Sequence, residues 1–100
     1  MILNWFNAGE AVAFAQEAVR DINRLFPPSE HKGKAIPKKE FRKKFENLVA
    51  RTRTFSAKRK LNIYKKAKLL NTIKWELREA GHEDQFVDDV IALFTPLLNN

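Results

Sequence analysis

The apolar residues of this chain recur every three or four positions in four successive segments, and this spacing constrains the fold most strongly. In the first segment Val12, Ala15, Val19, Ile22 and Phe26 follow that spacing. Because an α-helix turns once in about 3.6 residues, such residues share one helical face. The chain has no sustained alternation of apolar and polar residues and no Asn-Gly or Asp-Gly hairpin signal. The sequence therefore predicts an all-α protein.

Helix-breaking and helix-capping residues divide the chain into four helices. Proline lacks the backbone N–H that an inner turn needs, glycine is usual just after a helix, and asparagine is a good N-cap. Helices are predicted over about 7–26, 37–57 and 63–80, and a fourth begins at 83 and is stopped or kinked by proline. The breakers and caps are Pro27, Pro28, Pro37, Asn62, Gly81 and Pro96.

The buried faces of the later helices follow from the same spacing. The second helix is expected to bury Phe41, Phe45, Leu48, Thr52 and Phe55. The third is expected to bury Ile63, Ala67, Leu70, Ile73, Leu77 and Ala80. The fourth is expected to bury Phe86, Val90, Leu93, Phe94 and Leu97.

A length of 100 residues fits a single domain, so residues 1–100 are predicted to form one small four-helix bundle-like unit. The polar, proline-containing stretch 27–36 is predicted to be a flexible linker between the first two helices. Because so small a core supplies little net stability, dimerisation would be a natural supplement.

Several classes of protein are disfavoured by what the sequence lacks. It has no Gly-rich phosphate loop, no Gly-x-Ser-x-Gly and no His-Glu-x-x-His, so no enzyme is predicted. Without cysteine there are no disulfides or thiolate metal sites. His31 is expected in the linker and His82 in an exposed turn, so no metal or other cofactor is predicted. No apolar run approaches the roughly 20 residues that span a bilayer. The first seven residues do not resemble a signal peptide, and a cytoplasmic location is predicted.

Charge is distributed very unevenly along the chain. Residues 32–68 contain fifteen Lys and Arg and two acidic residues, a net charge of +13, whereas the remaining residues carry −6. One interpretation is a basic surface that binds an anionic partner such as RNA or DNA. The other is that the acidic ends fold back and neutralise the basic middle. The sequence leaves both interpretations open.

One face of the third helix combines aromatic and polar side chains. Tyr64, Lys68, Asn71 and Trp75 are spaced so that they lie together, away from the predicted buried side, and Arg78 lies at the edge of this face. Aromatic rings beside lysine can stack on bases while the cations hold phosphates. The alternative is that the two rings pack against another helix.

A run of cations extends from the last part of the second helix into the first part of the third. Such residues near free helix N–H groups suit phosphate, and contacts of this kind supply affinity without reading sequence. The alternative is a solvated corner. The third helix is a better recognition helix than the fourth, whose acidic start would repel phosphate. The run comprises Arg51, Arg53, Lys58, Arg59, Lys60, Lys65, Lys66 and Lys68.

Phe14 is the candidate residue for a protein interface. It lies opposite the apolar stripe of the first helix, among Glu10, Glu17 and Asp21. An exposed ring surrounded by acids would suit a basic helix, including the second helix of another copy. The alternative function is therefore a protein-interaction module, either a homodimer or a complex in which acidic and basic helices meet. An isolated exposed apolar residue also occurs without any such role.

Overall fold

Four helices form in the order and close to the positions that the sequence predicts. The computed structural model describes residues 7–99, and within that range it contains no β-strand. The helices are α1 (Gly9–Leu25), α2 (Lys38–Arg59), α3 (Ile63–Glu79) and α4 (Asp84–Leu98), and a 3-10 turn spans Pro28–Glu30. The protein is therefore a small all-α domain of the four-helix bundle type. The expectation about the first seven residues concerns, apart from Asn7, residues outside the described range.

The helix ends show why Asn62 and Gly81 act where they do, whereas Pro96 does not stop the last helix, which continues through it to Leu98. The side chain of Asn62 caps α3, because its Oδ1 accepts the Lys65 N–H at 2.8 Å. Gly81 has a φ of 100°, and the next N–H, of His82, returns to the Leu77 carbonyl at 3.1 Å. Helix α2 runs two residues beyond the predicted end and stops where Lys60 adopts a left-handed φ of 46°.

The helices pack in an order that differs from their order along the chain. Helix α1 packs on α2 and α3, and α4 packs on α3 and α2. Helices α1 and α2 are antiparallel, because Glu10 near the start of α1 meets Arg59 at the end of α2. Small side chains allow α1 to approach its neighbours closely. These are Ala11, Ala15 and Ala18, each at most 1% exposed.

An aromatic cluster fills the core where the 27–36 segment meets the helices. Phe26 is fully buried, and its ring centroid lies 5.5 Å from those of Phe45 and Phe86. Phe41 packs 4.6 Å from Phe45, and Phe94 meets Phe45 edge-on. Aromatic pairs at such distances contribute about 0.5–1.5 kcal/mol each beyond the area they bury. The ring of Phe26 thus links the end of α1 to α2 and α4.

The predicted buried face of α3 is partly wrong. Leu69, Ile73 and Leu77 are fully buried, whereas Ile63 is 81% exposed and Ala67 and Ala80 are also exposed. Leu69 lies four residues before Ile73 and Leu70 lies three before it. Either leucine can therefore share the buried face of α3 with Ile73, and the sequence pattern does not decide between them. Packing between α1 and α4 turns the Leu69 side inward and leaves Leu70 half-buried.

The 27–36 segment makes specific contacts with the start of α4. The Gly33 N–H donates to Oε1 of Glu83 at 2.8 Å. The His31 ring lies 5.3 Å from that of Phe26, and Ile36 packs against the core. The flexibility of this segment stays a prediction.

Candidate nucleic-acid interface

The helix arrangement gathers positive charge at one end of the bundle. Between Glu46 and Glu76 the sequence contains nine Lys and Arg and no Asp or Glu. This stretch covers the second half of α2 and most of α3, which are joined at one end of the bundle, and α4 carries no charged side chain after Asp89. We call this surface the basic end. It comprises Lys58, Arg59, Lys60, Lys65, Lys66 and Lys68.

Two predicted binding residues are paired with carboxylates of α1. Arg59 Nε lies 2.6 Å from Oε2 of Glu10, and Arg51 pairs with Asp21, which also pairs with Arg24. The hydrogen bond from Arg51 lowers the pKa of the Asp21 carboxyl, although burial opposes the shift. The acidic first helix thus neutralises part of the basic middle, as one of the two interpretations expects.

The neutralisation covers only a small part of the basic segment. Of the fifteen cations in 32–68, Lys44, Arg51 and Arg59 form ion pairs with described residues. At the basic end, the Glu10 carboxylate is bound by Arg59. The five lysines of the basic end have no ion pair among residues 7–99. This end therefore keeps a strong positive potential.

The cations of α2 do not share one face. Arg51, Lys58 and Arg59 line a shallow groove beside α1, together with Asn47 and Phe55. Arg53 lies two residues after Arg51 and so points about 200° away around the helix. Lys60 lies beyond the helix end, and Lys65 is half-buried on a flank of α3. Arg53 therefore lies apart from the rest of the predicted run, and Lys58 and Arg59 belong both to the groove and to the basic end.

The outer face of α3 is open along its length. We use this name for Tyr64, Lys68, Asn71, Trp75 and Arg78, all of which are exposed. Trp75 is 56% exposed, and the Arg78 guanidinium lies 5.6 Å from its ring centroid. Trp75 is thus exposed over more than half of its surface rather than buried against another helix. Tyr64, at 37% exposed, makes further contacts of its own.

The expectation that Phe14 is exposed is wrong. Its ring stacks on Phe55 of α2, with centroids 4.3 Å apart and planes 15° from parallel. Arg59 lies 5.7 Å from the other ring of this pair, Phe55, and reaches Glu10. The acidic face of α1 therefore docks on the basic helix of its own chain. The contact between acidic and basic helices that suggested a second copy thus forms within one molecule, at Phe14 with Phe55 and at Glu10 with Arg59.

His82 is buried, contrary to the exposed turn that the sequence suggested. It is 8% exposed, its ring stacks on Phe86 at 4.5 Å, and Nε2 donates to Oδ1 of Asn23 at 2.7 Å. Burial, with a smaller contribution from the charge of His31, lowers the pKa of His82. These contacts give His82 a structural role in joining α1 to the start of α4.

Within 7–99, no three His, Asp or Glu side chains come together as ligands for a metal ion. None of the helices in that range combines the length and apolar character needed to cross a bilayer.

Comparison of the chain with protein-family models, with curated protein sequences and with solved structures found no significant match. The proposed function therefore rests on the four-helix fold and the charge of its surface.

Sequence reasoning missed two features of this surface. The first is the absence of acids between Glu46 and Glu76, which is visible in the sequence and predicts the basic end more sharply than the net charge of 32–68. The second is Ile63, which was expected in the core but is exposed next to Tyr64. No sequence signal distinguishes that position, because its spacing fits the buried stripe.

Proposed function

We propose that the protein is a non-enzymatic module that binds single-stranded nucleic acid through the basic end and the outer face of α3. The observation that carries the proposal is the stretch of nine cations without an acid, six of which make up the basic end. Lysines without ion pairs bind phosphates and release counterions, so they supply affinity that does not depend on sequence.

The outer face of α3 favours unpaired strands. Trp75 is more than half exposed, and Lys68 and Arg78 lie on the same face. A base can stack on such a ring only when it is free of its own duplex stack. Tyr64 and Trp75 are eleven residues apart, or about 16 Å along the helix, so a bound strand would extend from the basic end toward Trp75. We include a cytoplasmic location in this proposal.

Fluorescence anisotropy with labelled single-stranded RNA, single-stranded DNA and duplex DNA tests the proposal. Across a salt series, the logarithm of the binding constant for single strands should fall with a slope of about −0.7 per phosphate neutralised. Five lysines therefore predict a slope of about −3.5. Failure to bind at low salt, or binding that ignores salt, would refute the proposal.

Matched charge variants separate the basic end from the net charge. The triple variant K58Q/K60Q/K65Q removes three charges at the basic end, and the control K32Q/K39Q/K43Q removes three exposed charges elsewhere. The first should reduce the salt slope by about 2, whereas the control should change it little. An equal reduction of the salt slope in the two triple variants would show that net charge alone drives binding.

A single substitution tests stacking on α3. Trp75→Ala should weaken binding of single strands by about 1–3 kcal/mol and leave duplex binding nearly unchanged. Because Trp75 is exposed, the fold should persist, which circular dichroism checks. Equal losses for single strands and duplex would remove stacking from the proposal but not the phosphate contacts.

The alternative function, a protein-interaction module or homodimer, has less support. The acidic and basic helices that suggested it already meet within one chain, through Arg51 with Asp21, Arg59 with Glu10, and Phe14. Sedimentation equilibrium at tens of micromolar protein tests the homodimer, and a dimer that Phe14→Glu dissociates would favour this alternative.

A further inference from the structure

A second site lies away from the basic end, between the start of α2, the outer side of α4 and the 28–36 segment. A cleft of about 520 Å³ opens there, and we call it the α2–α4 cleft. This volume is in the range of small-molecule sites, which are about 300–1,000 Å³. None of the six residues of the basic end lines it. The cleft therefore has no part in the proposed binding of nucleic acid.

The walls of the α2–α4 cleft are mainly apolar. Phe41 and Phe86 are half-buried and face it from α2 and α4, and Ile36 closes one side. The α4 wall continues through Leu93 to Pro96, so it extends about 15 Å from Phe86. An elongated apolar group would be removed from water along this wall, at about 25 cal/mol for each Å² buried.

The charged groups around the cleft favour an anion. Its two carboxylates already accept hydrogen bonds, Glu83 from the Gly33 N–H at 2.8 Å and Asp89 from Gln85 at 2.9 Å. The cations lining the cleft, in contrast, have no ion pair or side-chain hydrogen bond with any residue in 7–99. These cations are Lys34, Lys38 and Arg42.

We propose that the α2–α4 cleft binds a small amphipathic organic acid, with its aliphatic body along Phe41, Phe86 and Leu93 and its carboxylate at Lys38 and Arg42. Lys38 and Arg42 are four residues apart and so lie on the same side of α2, where both can reach one carboxylate. Arginine binds a carboxylate in a planar fork, and lysine adds a second charge. The occupant is a free acid in solution, not a lipid in a bilayer and not a second copy of the chain.

Isothermal titration calorimetry with decanoate, below the concentration at which it forms micelles, tests this assignment on the full chain. Decanoate should bind with one site per chain, and decyltrimethylammonium, which has the same chain and the opposite charge, should bind about tenfold more weakly or not at all. Equal binding of the two amphiphiles would overturn the proposal, and so would failure of decanoate to bind.

Two pairs of variants locate the site. K38Q/R42Q should weaken decanoate about tenfold, whereas K39Q/K43Q, with the same spacing on the same helix but outside the cleft, should not. Ala92→Trp fills the cleft from an exposed position and should abolish binding, whereas Ala13→Trp, on the exposed side of α1, should leave it intact. If decanoate binding weakens in both variants of a pair, or in neither, the assignment is overturned.

Two further measurements distinguish other occupants. Binding to phosphatidylglycerol vesicles without binding of free decanoate would point to a membrane and overturn the proposal. Sedimentation equilibrium without ligand would overturn it if the chain formed a dimer that Ala92→Trp dissociates. Decanoate should not compete with single-stranded oligonucleotide, and its binding should persist in K58Q/K60Q/K65Q, so the two proposals can fail separately.

Discussion

Replacing Phe26 by alanine should destabilise the fold more than any exposed substitution, because this ring joins three helices. The side chain is fully buried and lies within 5.5 Å of the rings of Phe45 and Phe86. It is also the last residue before Pro27-Pro28, so its position sets how the 27–36 segment leaves α1. Loss of the ring would leave a cavity that the surrounding rings cannot fill without leaving their rotamers.

The expected magnitude follows from this burial. A buried phenylalanine removes about 150–250 Å² from water, which at about 25 cal/mol per Å² corresponds to about 4–6 kcal/mol. Measured Phe→Ala costs in cores are about 3–5 kcal/mol, so we expect a loss of about 4 kcal/mol. A domain of this size has a free energy of unfolding of about 5–15 kcal/mol, so the variant should be close to the limit of folding.

Urea unfolding followed by far-UV circular dichroism measures the loss. Phe41→Ala, in the same cluster but only half-buried, should lose about half as much, and Ile63→Ala, at 81% exposed, should lose less than about 0.5 kcal/mol. If Phe26→Ala fails to fold, Phe26→Leu should still show a loss of about 1–2 kcal/mol. A loss in Phe26→Ala no larger than that in Ile63→Ala would refute the reasoning.

Three further predictions concern pH and helix ends. The unfolded chain takes up a proton on His82 more readily than the folded chain, because burial lowers the pKa of this side chain in the fold. Stability should therefore fall as pH decreases through about 6.5, and His82→Gln, although less stable overall, should lose this dependence in urea titrations over a pH series. Asn62→Ala should cost about 1 kcal/mol in thermal unfolding through loss of the α3 cap, whereas Asn71→Ala, in the middle of α3, should cost little. Lys60→Gly should raise the unfolding free energy by up to about 1 kcal/mol, because the left-handed φ of 46° strains any residue with a Cβ, and an unchanged or lower value would contradict this explanation.

The helices and their ends were predictable because they depend on local interactions. Asn62 caps α3 and Gly81 follows it, as the sequence indicated, because a cap needs only residues within one helical turn. The end of α2 was missed by two residues, since nothing near Ala57 terminates a helix and the left-handed Lys60 carries no glycine signal.

The surface was less predictable than the helices, because it depends on which helices become neighbours. Phe14 was expected to be exposed on the polar side of α1, but α2 packs there and stacks Phe55 on it. His82 was expected in an exposed turn, but Asn23 and Phe86 enclose it. In each case the contacting residue lies elsewhere in the chain, beyond the reach of a periodicity argument.

The sequence by itself determined that this chain forms four helices and that its middle is basic, because helical period, caps and charge are properties of short segments. Only the tertiary structure decided which cations stay free of carboxylates, since Glu10 and Asp21 reach Arg59 and Arg51 through the antiparallel packing of α1 on α2. It also decided which side of α3 faces outward, because two apolar stripes were available and burial between α1 and α4 selected the one through Leu69. Burial and ion pairing depend on residues distant in sequence, and the fold alone brings those residues together.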